Sequence, residues 1–255
     1  MPDADNFESP AVRVGRYAAG LTMPAHADGH PRLSIVLAGR LRERVRSVDV
    51  DAGAGFVVIK PGHVVHENVF GPKGACVVSV LIPAWLVADP GVSVLEQWRW
   101  IRPGPLSLRA LRLALAARRG PGMASDGNGL AEWLAEAAEP EPRRRRGPPP
   151  VWLLRIREAL DEAAVAGGSS MRALAQREGL HPVYVARLFR QYLRCTPSEY
   201  LQSRRLMRAL EGVAAGEPGL AALAVDVGFA DQSHFNRDCR RLLGLSPGVL
   251  RGLLG

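Results

Sequence analysis

Gly228-Phe-Ala-Asp-Gln232-Ser-His-Phe235-Asn-Arg237, followed closely by Gly244-Leu-Ser-Pro247, is the stretch that decides how this chain folds. Ala224 stands four residues before Gly228, and Phe235 stands seven after it. Two short helices crossing at a tight turn need this pattern: a small residue where they touch, glycine in the turn, and an apolar residue on the inner face of the second helix. Upstream, Ala175, Gly179 and Val185 repeat it at separations of four and six, so the second unit's turn is one residue longer. Leu174, Leu188 and Phe189 fill the core of the first unit. One such pattern is a weak signal, but two of them bridged by a capped helix are a strong one. The bridge opens at Thr196-Pro-Ser-Glu199, a capping box with proline at the first helical position, and runs to about Val213. Ser246-Pro247 repeats the cap-plus-proline device for a last helix.

Working outward, Leu153, Ile156, Leu160 and Ala163 form the buried stripe of an earlier helix that Gly167-Gly168 closes. Ser170 caps the next, whose inner face is Met171, Leu174 and Ala175. Before these lies Glu139-Pro-Glu-Pro-Arg-Arg-Arg-Arg-Gly-Pro-Pro-Pro150, in which five prolines and a like-charge run exclude a helix interior or a central strand. It reads as a stiff linker, with Arg143–Arg146 either solvated or touching phosphates. The chain therefore divides into residues 1–138, a linker at 139–150, and an all-α part at 151–255.

Charge divides at the same place. From residue 143 onward there are 18 arginines against 10 acids, whereas the remainder holds 15 bases and 15 acids. The whole net charge of +8 thus lies in the helical part, as expected of a polyanion-binding domain joined to a neutral one. Apolar runs such as 75–82 are too short to cross a bilayer, and the acidic N-terminus has no signal-peptide pattern, so a cytoplasmic, non-membrane protein is expected. Cys76, Cys195 and Cys239 are too far apart for a paired-thiol motif and read as buried small hydrophobes.

The Gly228–Arg237 stretch, its Gly244–Pro247 continuation and the matching first unit resemble the AraC/XylS transcriptional regulators. In that first unit the matching residues are Leu174-Ala175, Gly179-Leu180, Arg187-Leu188-Phe189, Thr196-Pro197-Ser-Glu-Tyr200 and Arg204-Arg205-Leu206. The resemblance covers residues 151–255 and departs from the family at two core positions, where Cys239 and Leu250 replace aromatics. It implies two helix-turn-helix units joined by a linker helix, binding double-stranded promoter DNA and acting near RNA polymerase as an activator or repressor.

Subtracting buried positions from the two second helices leaves the DNA-facing ones. They are Val183, Tyr184, Ala186, Arg187 and Arg190 in the first, and Gln232, Ser233, His234, Asn236, Arg237 and Arg240 in the second. Arginine can grip guanine bidentately, Gln or Asn can do so with adenine, and Ala or Val can meet a thymine methyl. The resemblance places Arg187 and Arg237 at the same central position of the two helices; the alternative is that both bind only phosphate or helix acids. A linker helix of roughly 17 residues spans about 25 Å. Adding the widths of the units suits reading helices about 34 Å apart, one DNA turn, on one face.

The neutral half reads as short strands, Val12–Tyr17, Leu33–Leu37, Leu41–Val45, Phe56–Ile59 and Ala75–Ile82, with Gly39-Arg40 as a tight hairpin. Two helical stripes follow, Leu108, Leu111 and Leu115, then Leu130, Trp133, Leu134 and Ala137, suited to packing on the sheet or to a dimer contact. This half resembles a cupin barrel, the family's usual sensing module. Gly20, His26 and Gly39, then Gly55, Pro61 and His66, fall at the spacings of its two motifs, while Asp28, Arg32 and Phe70 replace motif residues.

If His26 to Arg32 is extended, then His26, Asp28, His30 and Arg32 share one face toward His66. That face suits a small polar effector with Arg32 as a carboxylate grip, or a metal held by His26, His30 and His66, or a filled barrel with no ligand. The expected architecture is an α+β multidomain chain. A cupin-like β-barrel with flanking helices precedes an all-α domain of two helix-turn-helix units joined by a linker helix. No cofactor and no enzymatic activity are implied, and the chain is expected to be a monomer or a homodimer. A metal-dependent cupin enzyme or metal sensor fused to a DNA-binding domain is the alternative.

Overall fold

The computed structural model describes residues 10–120, 127–139, 147–166, 171–217 and 219–254. Most of the linker (140–146), the Gly167-Gly168 stop and the Ser170 cap lie outside them. Seven strands make one antiparallel sheet: β1 (Ala11–Tyr17), β2 (Thr22–Ala27), β3 (Arg32–Val45), β4 (Val48–Gly53), β5 (Val57–Lys60), β6 (Val65–Leu81) and β7 (Arg99–Ile101). The hydrogen-bonded order is β1-β6-β3-β5-β7, with β2 added to β6 and β4 to β3.

The long strands β3 and β6 run along each other from Arg32↔Leu81 to Arg44↔Glu67, and two register shifts near Val36–Leu41 bend the sheet over itself. This corrects the expected hairpin at Gly39-Arg40. Gly39 does have positive φ (+74°), but the conformation serves a bulge inside a continuous strand. A Cβ there would stand 2.0 Å from the Gly74 carbonyl oxygen, so the two strands can approach this closely only at glycine. The actual hairpin turn is Arg46-Ser47, flanked by the pair Val45↔Val48.

Bending gives the sheet two apolar faces. Val36, Leu41, Ala52, Phe70, Ala75 and Val77 pack inside the fold. Leu33, Ile35, Leu37, Val57, Ile59, Val78 and Val80 face outward onto helices. A short α1 (Ala84–Val87) and a 3-10 segment (Pro90–Glu96) lead to β7, then α2 (Pro105–Arg118) and α3 (Gly127–Ala138) cover that outer face. Both expected leucine stripes, including Trp133, are buried in this core, so they are not surfaces for a second copy.

The remaining helices are α4 (Val151–Ala166), α5 (Met171–Arg177), α6 (Pro182–Leu193), α7 (Pro197–Ala215), α8 (Leu220–Asp226), α9 (Gln232–Leu243) and α10 (Pro247–Leu254). They divide unequally. The first unit has its own core, in which Leu153, Ile156 and Leu160 of α4 meet Leu174, Val185 and Phe189. The second unit has none. Leu206, Leu210 and Val213 of α7, with Leu223, Phe235, Cys239 and Leu250, join the same apolar cluster as the outer face of the sheet. Arg16 of β1 reinforces the junction by donating to the carbonyls of Ala214 (2.8 Å) and Leu254 (2.9 Å). Between the sheet domain and the first unit lies a cleft of about 630 Å³, bordered by Trp100, Leu106, Arg157 and Tyr200, and one of about 660 Å³ lies between the sheet and the second unit, bordered by Arg16, Cys76, Arg208 and Leu223. Among the described residues no helix is long and apolar enough to cross a membrane.

Candidate nucleic-acid interface and sensor pocket

Both crossing turns form as the spacing predicts, with Gly179 (φ +67°) and Gly228 (φ +87°) in the left-handed region that a side chain rarely adopts. Ala175 and Ala224 are fully buried at the crossings, as are Val185, Phe189 and Phe235 on the inner faces. Cys239 and Leu250 occupy the core where the family's aromatics would stand. Burial pushes the Cys195 and Cys239 thiols up to about 12, so both are inert packing groups.

Caps set where each recognition helix begins. His181 precedes α6 and its Nδ1 accepts from the Val183 N–H (3.3 Å); Asp231 precedes α9 and accepts from the His234 N–H (2.7 Å). The α7 capping box is complete: Thr196 Oγ1 accepts from Glu199 N–H (3.1 Å), and Glu199 Oε2 accepts from Thr196 N–H (2.7 Å). These backbone and side-chain bonds hold the Glu199 carboxyl below its usual range.

Helix α7 also ties the two units together. Tyr200 donates to Asp161 of α4 (3.0 Å), and Arg204 pairs with the same carboxylate (2.6 Å). On the other side Gln202 donates to the buried carboxylate of Asp238 in α9 (2.7 Å), which also accepts from Arg241 (2.9 Å). Helix α9 is therefore bonded directly to one rod of 19 residues, two longer than expected, and α6 is seated on it by Phe189, whose ring packs edge-on to Tyr200 (6.1 Å). Val183, Tyr184, Arg187 and Arg190 are exposed on α6, with Ala186 half-buried between them. On α9, Gln232, Ser233, Arg237 and Arg240 are exposed, and His234 and Asn236 are half-buried.

Residues 174–252 match the helix-turn-helix domain family. The probable transcription factor PqrA of Proteus vulgaris is 25% identical over 84 residues, 33% of this chain and 69% of PqrA. The regulatory protein SoxS of Salmonella typhimurium is 31% identical over 78 residues, covering 31% of this chain and 73% of SoxS. Among solved structures, ToxT of Vibrio cholerae aligns with 98% of this chain and 100% of its own, at 11% identity and a TM-score of 0.42. The chain belongs to the AraC/XylS family of transcriptional regulators.

In the sheet domain the polar residues gather, though not as the extended segment would place them. Strand β2 ends at Ala27, and residues 28–31 turn before β3 begins at Arg32. This corrects the shared face from His26 to Arg32: Gly29-His30 supplies a turn, closed by the His63 N–H donating to the Asp28 carbonyl (2.7 Å). His30 sits in that turn. His26 and His66, paired across β2 and β6, have ring centroids 4.3 Å apart. Asp28 binds Arg32 (2.9 Å) and lies 3.9 Å from His66 Nε2. Among the described residues no three His, Cys, Asp or Glu side chains form a group that could hold a metal ion, so His26, His30 and His66 do not converge as ligands.

The centre of the cluster is formed by residues that the spacing arguments missed. Glu43 is fully buried and ion-pairs with Lys60; it also accepts from Trp98 Nε1 (3.2 Å). With its amide oriented to satisfy both neighbours, Asn68 donates to Glu43 Oε1 (3.0 Å). Trp98 stands between the ends of this network, 4.7 Å from the His66 ring and 5.4 Å from Lys60 Nζ. A signal was available: Glu43 lies between Leu41 and Val45 on one alternating face, and both leucine and valine are buried. Arg32 Nε, His66 Nε2 and Trp100 Nε1 are buried without a hydrogen-bond partner among the described residues.

Burial is the main cause holding the His66 imidazole below its usual pKa, opposed by its bond to the Val64 carbonyl. Its folded pKa is therefore below its unfolded one, and just under about pH 6.5 the unfolded chain binds more protons. Stability is full above that pH and falls as pH drops. Thermal melts from about pH 7 to about pH 5 should show this decline, and His66→Gln should flatten it. An unchanged slope in the variant would assign the decline to other groups.

Proposed function

We propose that this chain is an effector-responsive, cytoplasmic regulator of transcription that reads two successive major-groove segments of promoter DNA with α6 and α9. The observation that carries it is the pair of exposed, arginine-bearing helix faces held on one linker helix, α9 through Asp238 and α6 through Phe189 packed on Tyr200. Arg187 and Arg237 are the central base readers. Val183, Tyr184, Ala186, Arg190, Gln232, Ser233, His234, Asn236 and Arg240 complete the surface. RNA polymerase is the partner through which such a regulator acts, and the chain works as a monomer or homodimer without enzymatic turnover.

Full-length protein presented with a random duplex pool should select a site of two segments about one helical turn, roughly 10 base pairs, apart. Affinity should fall steeply with salt as phosphate counterions are released. Arg187→Ala and Arg237→Ala should each cost about 1–3 kcal/mol and relax preference at one position in their own half of the site. Uniform weakening of all sequences would make both arginines phosphate contacts, and a pool without enrichment would defeat the reading.

The effector site is the polar interior around His26, Asp28, Arg32, Glu43, Lys60 and His66, where buried polar atoms lack partners among the described residues. A small polar molecule that accepts from Arg32 and meets His66 satisfies them. Such a ligand survives chelation, whereas a metal does not. The metal-dependent alternative gains nothing from the geometry, because the Arg32 guanidinium already neutralises Asp28 beside the two histidines.

A further inference from the structure

Of the four DNA-facing arginines, Arg187 differs in how its side chain is held. Its guanidinium lies over the Tyr184 ring, 5.2 Å from the centroid and one helical turn earlier on α6. Tyr184 in turn packs against Trp152 of α4, with centroids 5.7 Å apart. Trp152 is half-buried against the core of the first unit. A three-part stack therefore runs from that core to the guanidinium at the surface. The equivalent position in α9, three residues before Arg237, is His234. Its ring is turned edge-on to Phe229 (5.2 Å, 85°) and lies 3.8 Å from Asp238. No ring contact of that kind is present for Arg237 among the described residues.

We infer that Tyr184, anchored by Trp152, is a positioning residue that pre-orders Arg187 for base recognition and thereby sets the stringency of the first half-site. This rests on the reading of Arg187 as a base contact. Arginine loses much rotamer freedom when both ends of its fork are fixed on a base, and an aromatic face beneath it removes part of that loss in advance. Tyr184 lies on the DNA-facing surface, but its effect on base choice is exerted through Arg187. The first unit thus reads its base with a pre-ordered arginine, and the second with a freer one.

The test uses full-length protein and the site it selects from a random pool, with affinity measured for every single-base variant of that site. The proteins are wild type, Tyr184→Phe, Tyr184→Leu, Arg187→Ala and the Leu/Ala double variant. Tyr184→Phe, which keeps the ring, should bind within about twofold of wild type. Tyr184→Leu keeps bulk against Trp152 without a π face. It should lose about two- to fivefold and flatten discrimination at the same base pair that Arg187→Ala flattens. In the Arg187→Ala background the leucine should add nothing. If the two losses add, or leucine flattens a different base pair, Tyr184 contacts DNA on its own and the inference is wrong. If Arg187→Ala changes neither affinity nor discrimination, the base-reading role of Arg187 falls first and this inference with it. Matching thermal melts identify the folded variants.

Discussion

Phe235→Ala should destabilise the protein by about 3–5 kcal/mol, and the loss should reach the sheet domain as well as the second helix-turn-helix unit. Phe235 is fully buried in the apolar cluster that contains Leu33, Ile35 and Val78 of the sheet, with Leu210 and Val213 of α7. Removing the ring leaves a cavity at a junction that both parts share, and the total stability of such a chain is only about 5–15 kcal/mol. Phe189→Ala removes an equally buried ring from the separate core of the first unit. Its cost should be similar but confined to α4–α6. Hydrogen exchange resolved by segment distinguishes the two. Undiminished protection of β3 and β6 in Phe235→Ala would show that the sheet and the second unit are not energetically joined.

The second large effect concerns the buried ion pair. Lys60→Met should cost roughly 3–5 kcal/mol, because it leaves the buried Glu43 carboxylate without its cation. Trp98 and Asn68 still donate to that carboxylate but do not neutralise it. The double change Glu43→Gln with Lys60→Met replaces the pair by neutral groups of similar volume and should recover most of the loss. Denaturant midpoints of the three variants check this. If the double variant is as unstable as the single one, packing rather than charge dominates at this site. A stable double variant also tests the sensor: regulation that ignores every candidate effector in it, but not in wild type, places the pair in the effector site.

The asymmetry between the two units bears on how a signal in the sheet domain reaches DNA. Strand β3 carries Arg32 and Glu43, which face the polar interior, and it also packs on α7. The second recognition helix is tied to α7 through Asp238 and shares a core with the sheet, while the first shares no core with it and meets that domain through the Arg194–Glu139 pair (2.6 Å) beside a cleft. A shift of β3 would reach the second unit through this shared core, and the first through the linker helix and the Arg194–Glu139 pair.

The helical half is legible from the order of its residues. Its signals are local: glycine at a positive-φ turn, a small residue at each crossing, apolar stripes at helical spacing, and caps at Thr196 and Ser246. Each acts within a few residues, so spacing alone located both units and the exposed faces of α6 and α9. Burial of Cys239 and Leu250 in place of aromatics followed from the same register.

The rest depends on contacts between distant segments, because long-range pairing chooses between local conformations of equal standing. Gly39 adopts positive φ in a bulge as readily as in a hairpin, and the close approach of Gly74 selects the bulge. The Asp28–Pro31 segment turns instead of extending because β2 pairs with β6 while β3 pairs with β5 and β6. Glu43, Lys60 and Trp98 come from three separate strands or connections, and no spacing rule joins them. The sharing of one core by the sheet and the second unit has the same origin: an apolar helix face specifies that it must be buried, not against which partner.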